Sequence, residues 1–328
     1  MNKTITPIQA INIALDEEME HNPKIFIIGE EVGVHGGAYG ATLNLQKKYG
    51  EHRVVDSPIS EIGFTGLAAG AAQAGLHPVV DYMTWNFALQ SIDHIINTCA
   101  KSLYMSNGLL RTPIVFRGPN GFNYGVGAQH TQDFGCYYGA VPGLKVVAPY
   151  SARDHRGCLR RALRDKNPVI FLENEVLYKK HFERCKSFDD KEYIQEFKAV
   201  VEKEGQDITL IGISLTVGIC LEAAQALEED GISVEVINLI SIRPIDYATL
   251  VESVQKTRRL IIVDNSWPCF SIASEISANI HEKMFSLLKM PVERINAEDV
   301  PTPYALNLEQ LSLPSTENVV KRVRDIMR

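Results

Sequence analysis

Short apolar runs alternate with amphipathic stretches through the first half of the chain. Residues 24–29 (KIFIIG), 78–82, 113–117, 145–148 and 168–172 are near-continuous apolar runs, the pattern of strands buried on both faces. The stretches 60–75, 87–106 and 152–165 between them read as helices. The chain opens on a helical pattern as well. Ile8, Ile11, Leu15 and Met19 recur at helical spacing, with Asp16, Glu17, Glu18 and Glu20 between them. Over 176–206 the rhythm gives way to a charged, weakly periodic stretch that reads as a linker. It then resumes, with strands over 207–213, 233–238 and 260–263 and helices over 216–229 and 246–256. The expectation is an α/β chain of two doubly wound domains, 1–175 and 207–328, joined by 176–206.

The helix over 60–75 (SEIGFTGLAAGAAQAG) carries Gly63, Gly66 and Gly70 in its interior. Each costs roughly 1 kcal/mol against alanine. Three of them suit either tight helix–helix packing or the close approach of a cofactor or another backbone.

Composition narrows the function. The 328 residues are 45% hydrophobic, enough for two cores, and carry a net charge of −7, which lacks the basic footprint of a nucleic-acid binder. Cys99, Cys136, Cys158, Cys185, Cys220 and Cys269 are scattered without C-x-x-C spacing. That excludes common zinc patterns and fits a reducing compartment. No run approaches the roughly 20 apolar residues of a membrane span. No secretory or transit segment is visible, so the expected location is the cytoplasm, or the mitochondrial matrix if a presequence has been removed. The glycines after the first strand lack a P-loop signature, and Gly125-Val-Gly127 continues to Gln129-His130 without the third glycine of a dinucleotide fingerprint. G-x-S-x-G and H-E-x-x-H are missing, and Gly-Asp-Gly occurs nowhere.

The segments FIIGEEV (26–32), VVDSPISEIGFTGLAAGAA (54–72), MTWNFALQSIDHIIN (83–97), PIVFRGPNG (113–121), GAQHTQ (127–132), PGLKVVAPYSARD (142–154) and EVINLISIRPID (235–246) carry a resemblance. The chain resembles the β subunits of the pyruvate dehydrogenase first component (E1), and more distantly those for branched-chain 2-oxoacids and acetoin. The match runs nearly end to end, is densest over 24–175, and thins over 176–206 and the last forty or so residues.

The resemblance implies a thiamine-diphosphate (pyrimidine-type) domain followed by a transketolase C-terminal-type domain. It implies an α2β2 heterotetramer in which the E1 alpha subunit holds the diphosphate and Mg²⁺ through Gly-Asp-Gly, while the β chain supplies the aminopyrimidine pocket. Such an enzyme decarboxylates pyruvate and reductively acetylates a lipoyl group on an acyltransferase (E2) core, giving acetyl-CoA in the full complex. By the same resemblance Glu61 is the acid at the pyrimidine N1′, Ile59, Met83 and Phe87 line the pyrimidine, and Glu30 lies in an acidic tunnel that couples two active sites. His130 orients or protonates intermediates, and Ile114, Ala162, Leu163, Asp165 and Asn167 hold K⁺. Each of these residues also has an ordinary reading. Glu61 suits a first-turn helix acid, Glu30 a solvated loop, Met83 and Phe87 plain core, His130 a structural loop, and 162–167 a helix cap. Arg153, Arg156, Arg160, Arg161 and Arg164 form a stripe expected to be a solvated face, or else a partner contact.

Two places depart from the family pattern. Phe122-Asn123-Tyr124 is bulkier than expected after RGPNG, and Lys289 stands where pyruvate-type chains carry an acid near the acyltransferase-docking region. The alternatives are a branched-chain or acetoin subunit, a non-catalytic scaffold of the same fold, and a self-sufficient transketolase-like enzyme.

Overall fold

The computed structural model describes residues 3–190, 193 and 195–328. They divide into two compact units: residues up to 120 with Tyr137–Glu196, and Gly121–Cys136 with Phe197–Arg328.

The first unit contains β1 (Thr4–Ile5), β2 (Ile25–Gly29), β3 (Val54–Asp56), β4 (His77–Asp81), β5 (Val115–Pro119), β6 (Lys145–Val147), β7 (Val169–Glu173) and β8 (Phe182–Glu183). Its main sheet runs β6-β7-β5-β4-β2-β3, and every one of these neighbours is parallel. β2, β5 and β7 are buried at every position, which explains their unbroken apolar runs. β2 connects onward to β3 on one side and β4 to β5 on the other. The crevice between the carboxyl ends of β2 and β4 is therefore a topological switch point, the ligand site of doubly wound sheets.

The stretch expected as a linker contains a 3₁₀ turn (Glu175–Lys179), β8 and a short helix (Lys186–Asp189). β8 pairs antiparallel with β1. Arg156 donates to the Asp190 carbonyl at 3.0 Å and Arg160 to that of Tyr193 at 3.1 Å, which holds this segment on the first unit.

The arginine stripe is not a solvated face. Arg156 and Arg160 on the helix Ala152–Leu163 are 2% and 3% exposed. Arg156 pairs with Glu17 at 2.9 Å, and Arg160 and Arg164 pair with Glu18 at 2.8 and 2.7 Å, all on the helix Pro7–His21. Both helices start on capping boxes, Thr6 with Gln9 and Ser151 with Asp154. Acids along the first helix needed cationic partners once the two helices packed.

The helix expected over 87–106 is broken into a 3₁₀ segment (Phe87–Ser91), a π segment (His94–Cys99) and a short α segment (Ser102–Met105). Its changing winding sets Ser91 against Thr65 and the His94 ring against Gly66.

The second unit holds β9 (Val200–Lys203), β10 (Ile208–Gly212), β11 (Val234–Asn238), β12 (Ser241–Arg243), β13 (Leu260–Val263) and β14 (Glu293–Ile295). Its sheet runs β14-β13-β10-β11-β9, parallel except for the edge strand β9. The helices Leu215–Glu228 and Thr316–Met327 share one apolar cluster against it, centred on Leu210, Ala223, Val236 and Val319. Among the described residues no helix is long and apolar enough to cross a membrane.

Candidate active site

At the switch point β2 ends on Gly29, whose register partner on β4 is Asp81. A Cβ on Gly29 would lie 2.4 Å from the Asp81 carbonyl oxygen, so only glycine lets the two strand ends close up. Glu30 follows directly. Its Oε1 is buried without a hydrogen-bond partner. Burial, then the charges of Glu61, Asp81 and Glu31, push its carboxyl above the ordinary value. Glu61 opens the helix Glu61–Gln73 and is 4% exposed. Two carboxyls thus share one region at the mouth of a parallel sheet, one of them held towards its neutral form.

The opposite wall comes from the end of β4. Met83 sits at φ +62°, a left-handed conformation that a non-glycine residue adopts only when its surroundings impose it. The Asp81 carboxylate accepts the Met83 N–H at 2.9 Å and holds that turn. Phe87 begins the 3₁₀ segment, which packs on the helix Glu61–Gln73. Thr65 Oγ1 lies 2.8 Å from Tyr82 Oη and 3.0 Å from Ser91 Oγ, tying helix, strand end and 3₁₀ segment together. Met83 and Phe87 are half-buried.

Behind this wall lies a network that the sequence reading missed. Arg117 on β5 donates to Asp81 and, through Nε at 2.7 Å, to Glu173 on β7, which also accepts from Tyr178. Burial opposes its charge, yet Asp81 and Glu173 hold Arg117 well above its ordinary value. The available signal was a lone arginine inside an apolar run (VFRGP), because a buried charge needs partners.

Other expected residues are placed as follows. Ile59 is 81% exposed, so it does not bury Glu61 within this chain. Gly70 has open space where a Cβ would stand, whereas Gly66 meets the His94 ring at 3.0 Å. The close approach expected along this helix is thus seen only at Gly66. His130 is exposed, and its N–H donates to the Gly127 carbonyl at 3.1 Å. It belongs to the second unit, whereas Glu30, Ile59, Glu61, Met83 and Phe87 belong to the first. Of the five residues expected at a cation, Ile114 accepts from Val169 N–H at 2.9 Å and Ala162 from Asp165 N–H at 3.1 Å. Asp165 accepts the Asn167 N–H at 3.0 Å, and its other oxygen takes Arg161 and Lys145. Leu163 is 3% exposed. Among the described residues no group of three or more His, Cys, Asp or Glu is placed to hold a metal ion.

The transketolase pyrimidine binding domain matches residues 3–180, which take in most of the first unit together with the 121–136 loop. The transketolase C-terminal domain matches 197–319. A pyruvate dehydrogenase E1 component subunit beta-1 of Arabidopsis thaliana, named mitochondrial, is 54% identical over 320 residues, 97% of this chain and 88% of the relative. The Saccharomyces cerevisiae subunit beta, also named mitochondrial, is 48% identical, covering 99% of this chain and 89% of its own. That of Rickettsia bellii is 48% identical, covering 98% of both. The chain belongs to the family of pyruvate dehydrogenase E1 beta subunits. A solved split-gene transketolase, described as an inactive beta4 tetramer, superposes with a TM-score of 0.78 over 98% of this chain and 97% of its own at 23% identity, a likeness of fold.

For an E1 beta subunit, the pyrimidine-binding domain implies use of thiamine diphosphate, and the designation beta implies an alpha partner. The residues at the switch point fit the pyrimidine half of that cofactor. They offer a buried acid and a second carboxyl with an unpartnered buried oxygen, and half-buried Met83 and Phe87 follow the end of β4. Nothing in the sequence supplies Gly-Asp-Gly for the diphosphate half.

Proposed function

We propose that this chain, together with an E1 alpha subunit, decarboxylates pyruvate on thiamine diphosphate and passes the acetyl group to a lipoylated acyltransferase. The observation that carries the reading is the pairing of buried Glu61 with Glu30 at the switch point, in a chain whose relatives at about half identity are named for pyruvate.

Bound thiamine diphosphate supplies the electron sink for decarboxylation. The protein's part is to hold protons and geometry. Glu61 would hold a proton at the pyrimidine N1′ from the head of its helix. Glu30, disposed towards its neutral form by burial and by Glu61, would exchange protons with that acid. Met83, fixed in its left-handed turn by Asp81, would bear on the ring with Phe87 and Ile59. His130 would hold or deliver a proton at the substrate side and during acyl transfer to the lipoyl group. The alpha chain would hold Mg²⁺ with the diphosphate. K⁺ would sit on backbone oxygens around Ile114, Ala162, Leu163, Asp165 and Asn167. The carbonyls at a helix C-terminus and their second lone pairs suit a monovalent cation, while the Asp165 carboxylate is already engaged.

Ile59, Ile62 and Leu67 are 81%, 56% and 59% exposed on and just before the helix Glu61–Gln73. Apolar side chains bare beside a cofactor site suit coverage by a partner subunit, in keeping with an α2β2 assembly. Lys289 is exposed, and its positive charge weakens docking to an acyltransferase adapted to an acid there.

The test is co-purification with an alpha-type chain, thiamine diphosphate titration, and turnover of several 2-oxoacids with an artificial electron acceptor. Cofactor-dependent turnover with pyruvate preferred supports the reading. Cofactor-dependent turnover in the isolated chain, or preference for a branched-chain acid, overturns it.

A further inference from the structure

The loop that bears His130 is held from the far end of the second unit's own sequence. Glu309 lies in the helix Leu306–Leu311 and is 0% exposed. Both of its carboxylate oxygens lie 3.1 Å from the Gly125 N, which donates to them. Buried carboxylates are costly unless they engage a donor, so this contact anchors the loop as well as satisfying the acid. Two packing contacts accompany it. Gly125 and Gly127 take φ +68° and +78°, and a Cβ on them would meet Leu306 at 3.6 Å and Tyr304 at 3.2 Å. The loop backbone therefore lies directly on the segment that leads into the Glu309 helix.

From Gly127 the constraint passes straight to the histidine. The Gly127 carbonyl accepts the His130 N–H and the Thr131 hydroxyl, each at 3.1 Å. Gly121 N–H closes the loop on the Gln132 carbonyl at 3.0 Å. The helix is fixed in turn, because Ser312 Oγ donates to the Glu309 carbonyl at 2.7 Å and Glu298 N–H to that of Ser312 at 2.8 Å. A continuous chain of bonds thus runs from Glu298 through Ser312, Glu309 and Gly125 to the turn that carries His130.

We infer that Glu309 is a positioning residue for His130, acting through the Gly125 N–H and the backbone of the 121–132 loop. The inference rests on the proposed role of His130. It requires no contact between Glu309 and cofactor or substrate.

The test uses the assembled αβ enzyme with Glu309→Ala, Glu309→Gln, His130→Gln and the His130→Gln, Glu309→Ala double variant. Amide hydrogen exchange over 121–132 is read beside kcat and the thiamine diphosphate titration. Loss of a charge-assisted bond should speed exchange at Gly125–His130 by about tenfold or more in Glu309→Ala. kcat should fall while cofactor affinity holds. Glu309→Gln, which keeps a carbonyl acceptor for Gly125, should restore most of both. In the His130→Gln background, Glu309→Ala should cost no further turnover. Unchanged exchange in a folded Glu309→Ala enzyme, or an equal further loss of kcat without His130, overturns the inference. Full activity of His130→Gln would overturn the role of the histidine instead, with the exchange measurement still deciding whether the clamp exists.

Discussion

Asp81 and Arg117 are register partners on adjacent parallel strands, and their side chains form an ion pair only 7% and 2% exposed. The pair lies directly behind Met83, whose strained turn Asp81 holds. The structural ion pair and the Met83 turn are here one construction. Removing the arginine alone leaves Asp81 and Glu173 buried without a cation. Arg117→Met should therefore cost about 3–5 kcal/mol, read as a lowered urea midpoint of the assembled enzyme. Weaker thiamine diphosphate binding should follow as the Met83 turn relaxes. A variant of wild-type stability would show that the two carboxylates need no counter-charge.

Glu30 should make stability depend on pH in a definite direction. Its folded carboxyl is raised above the ordinary 4.5 by burial and by Glu61. The folded state therefore binds the proton more tightly than the unfolded state does. That advantage is complete below the ordinary value and is lost as pH rises through the folded value. Glu30→Gln should raise the melting temperature at neutral pH, and the gain should vanish in acid. A destabilising effect at neutral pH would mean that the charged carboxylate has a stabilising partner.

Glu18 should behave in the opposite sense. Burial raises its carboxyl, but Arg164 and Arg160 outweigh that and hold it below 4.5. Its contribution is present above the ordinary value and lost as pH falls through the folded value. Glu18→Ala should cost about 2–3 kcal/mol at neutral pH, because it removes the nearest carboxylate from the buried Arg160 and leaves its charge met less closely by Glu17 at 3.5 Å, with the deficit shrinking in acid. Urea titrations at several pH values would measure both the size and the slope.

That ion-pair seam marks where sequence reasoning stopped. The strands were legible because each is a continuous apolar run, whereas Glu61 was named only through the family resemblance, since alone it reads as a first-turn helix acid. The arginine stripe was not legible, since five arginines on one face look the same whether they meet water or Glu17 and Glu18 across a helix contact. The Arg117 network and the Gly125–Glu309 bond join residues far apart in sequence, and no local period encodes them. The helix expected over 87–106 broke for a similar reason. Its apolar spacing is helical, but Ser91 and His94 are set by contacts to Thr65 and Gly66.

Ile62 separates folding from assembly. It is 56% exposed on the helix Glu61–Gln73, so Ile62→Glu should change the stability of the chain itself by no more than about 0.5 kcal/mol. The same change should abolish co-purification with an alpha-type chain. Retained assembly would place the partner surface elsewhere.

The proposed function turns on Glu61 as the acid of the pyrimidine pocket. The decisive measurement is pyruvate decarboxylation by the purified αβ enzyme, wild type against Glu61→Gln, with an artificial electron acceptor and saturating thiamine diphosphate. A positioned acid contributes about 10²–10⁴-fold, so the variant should lose activity on that scale while assembling normally. Wild-type turnover in an assembled Glu61→Gln enzyme would contradict the central claim.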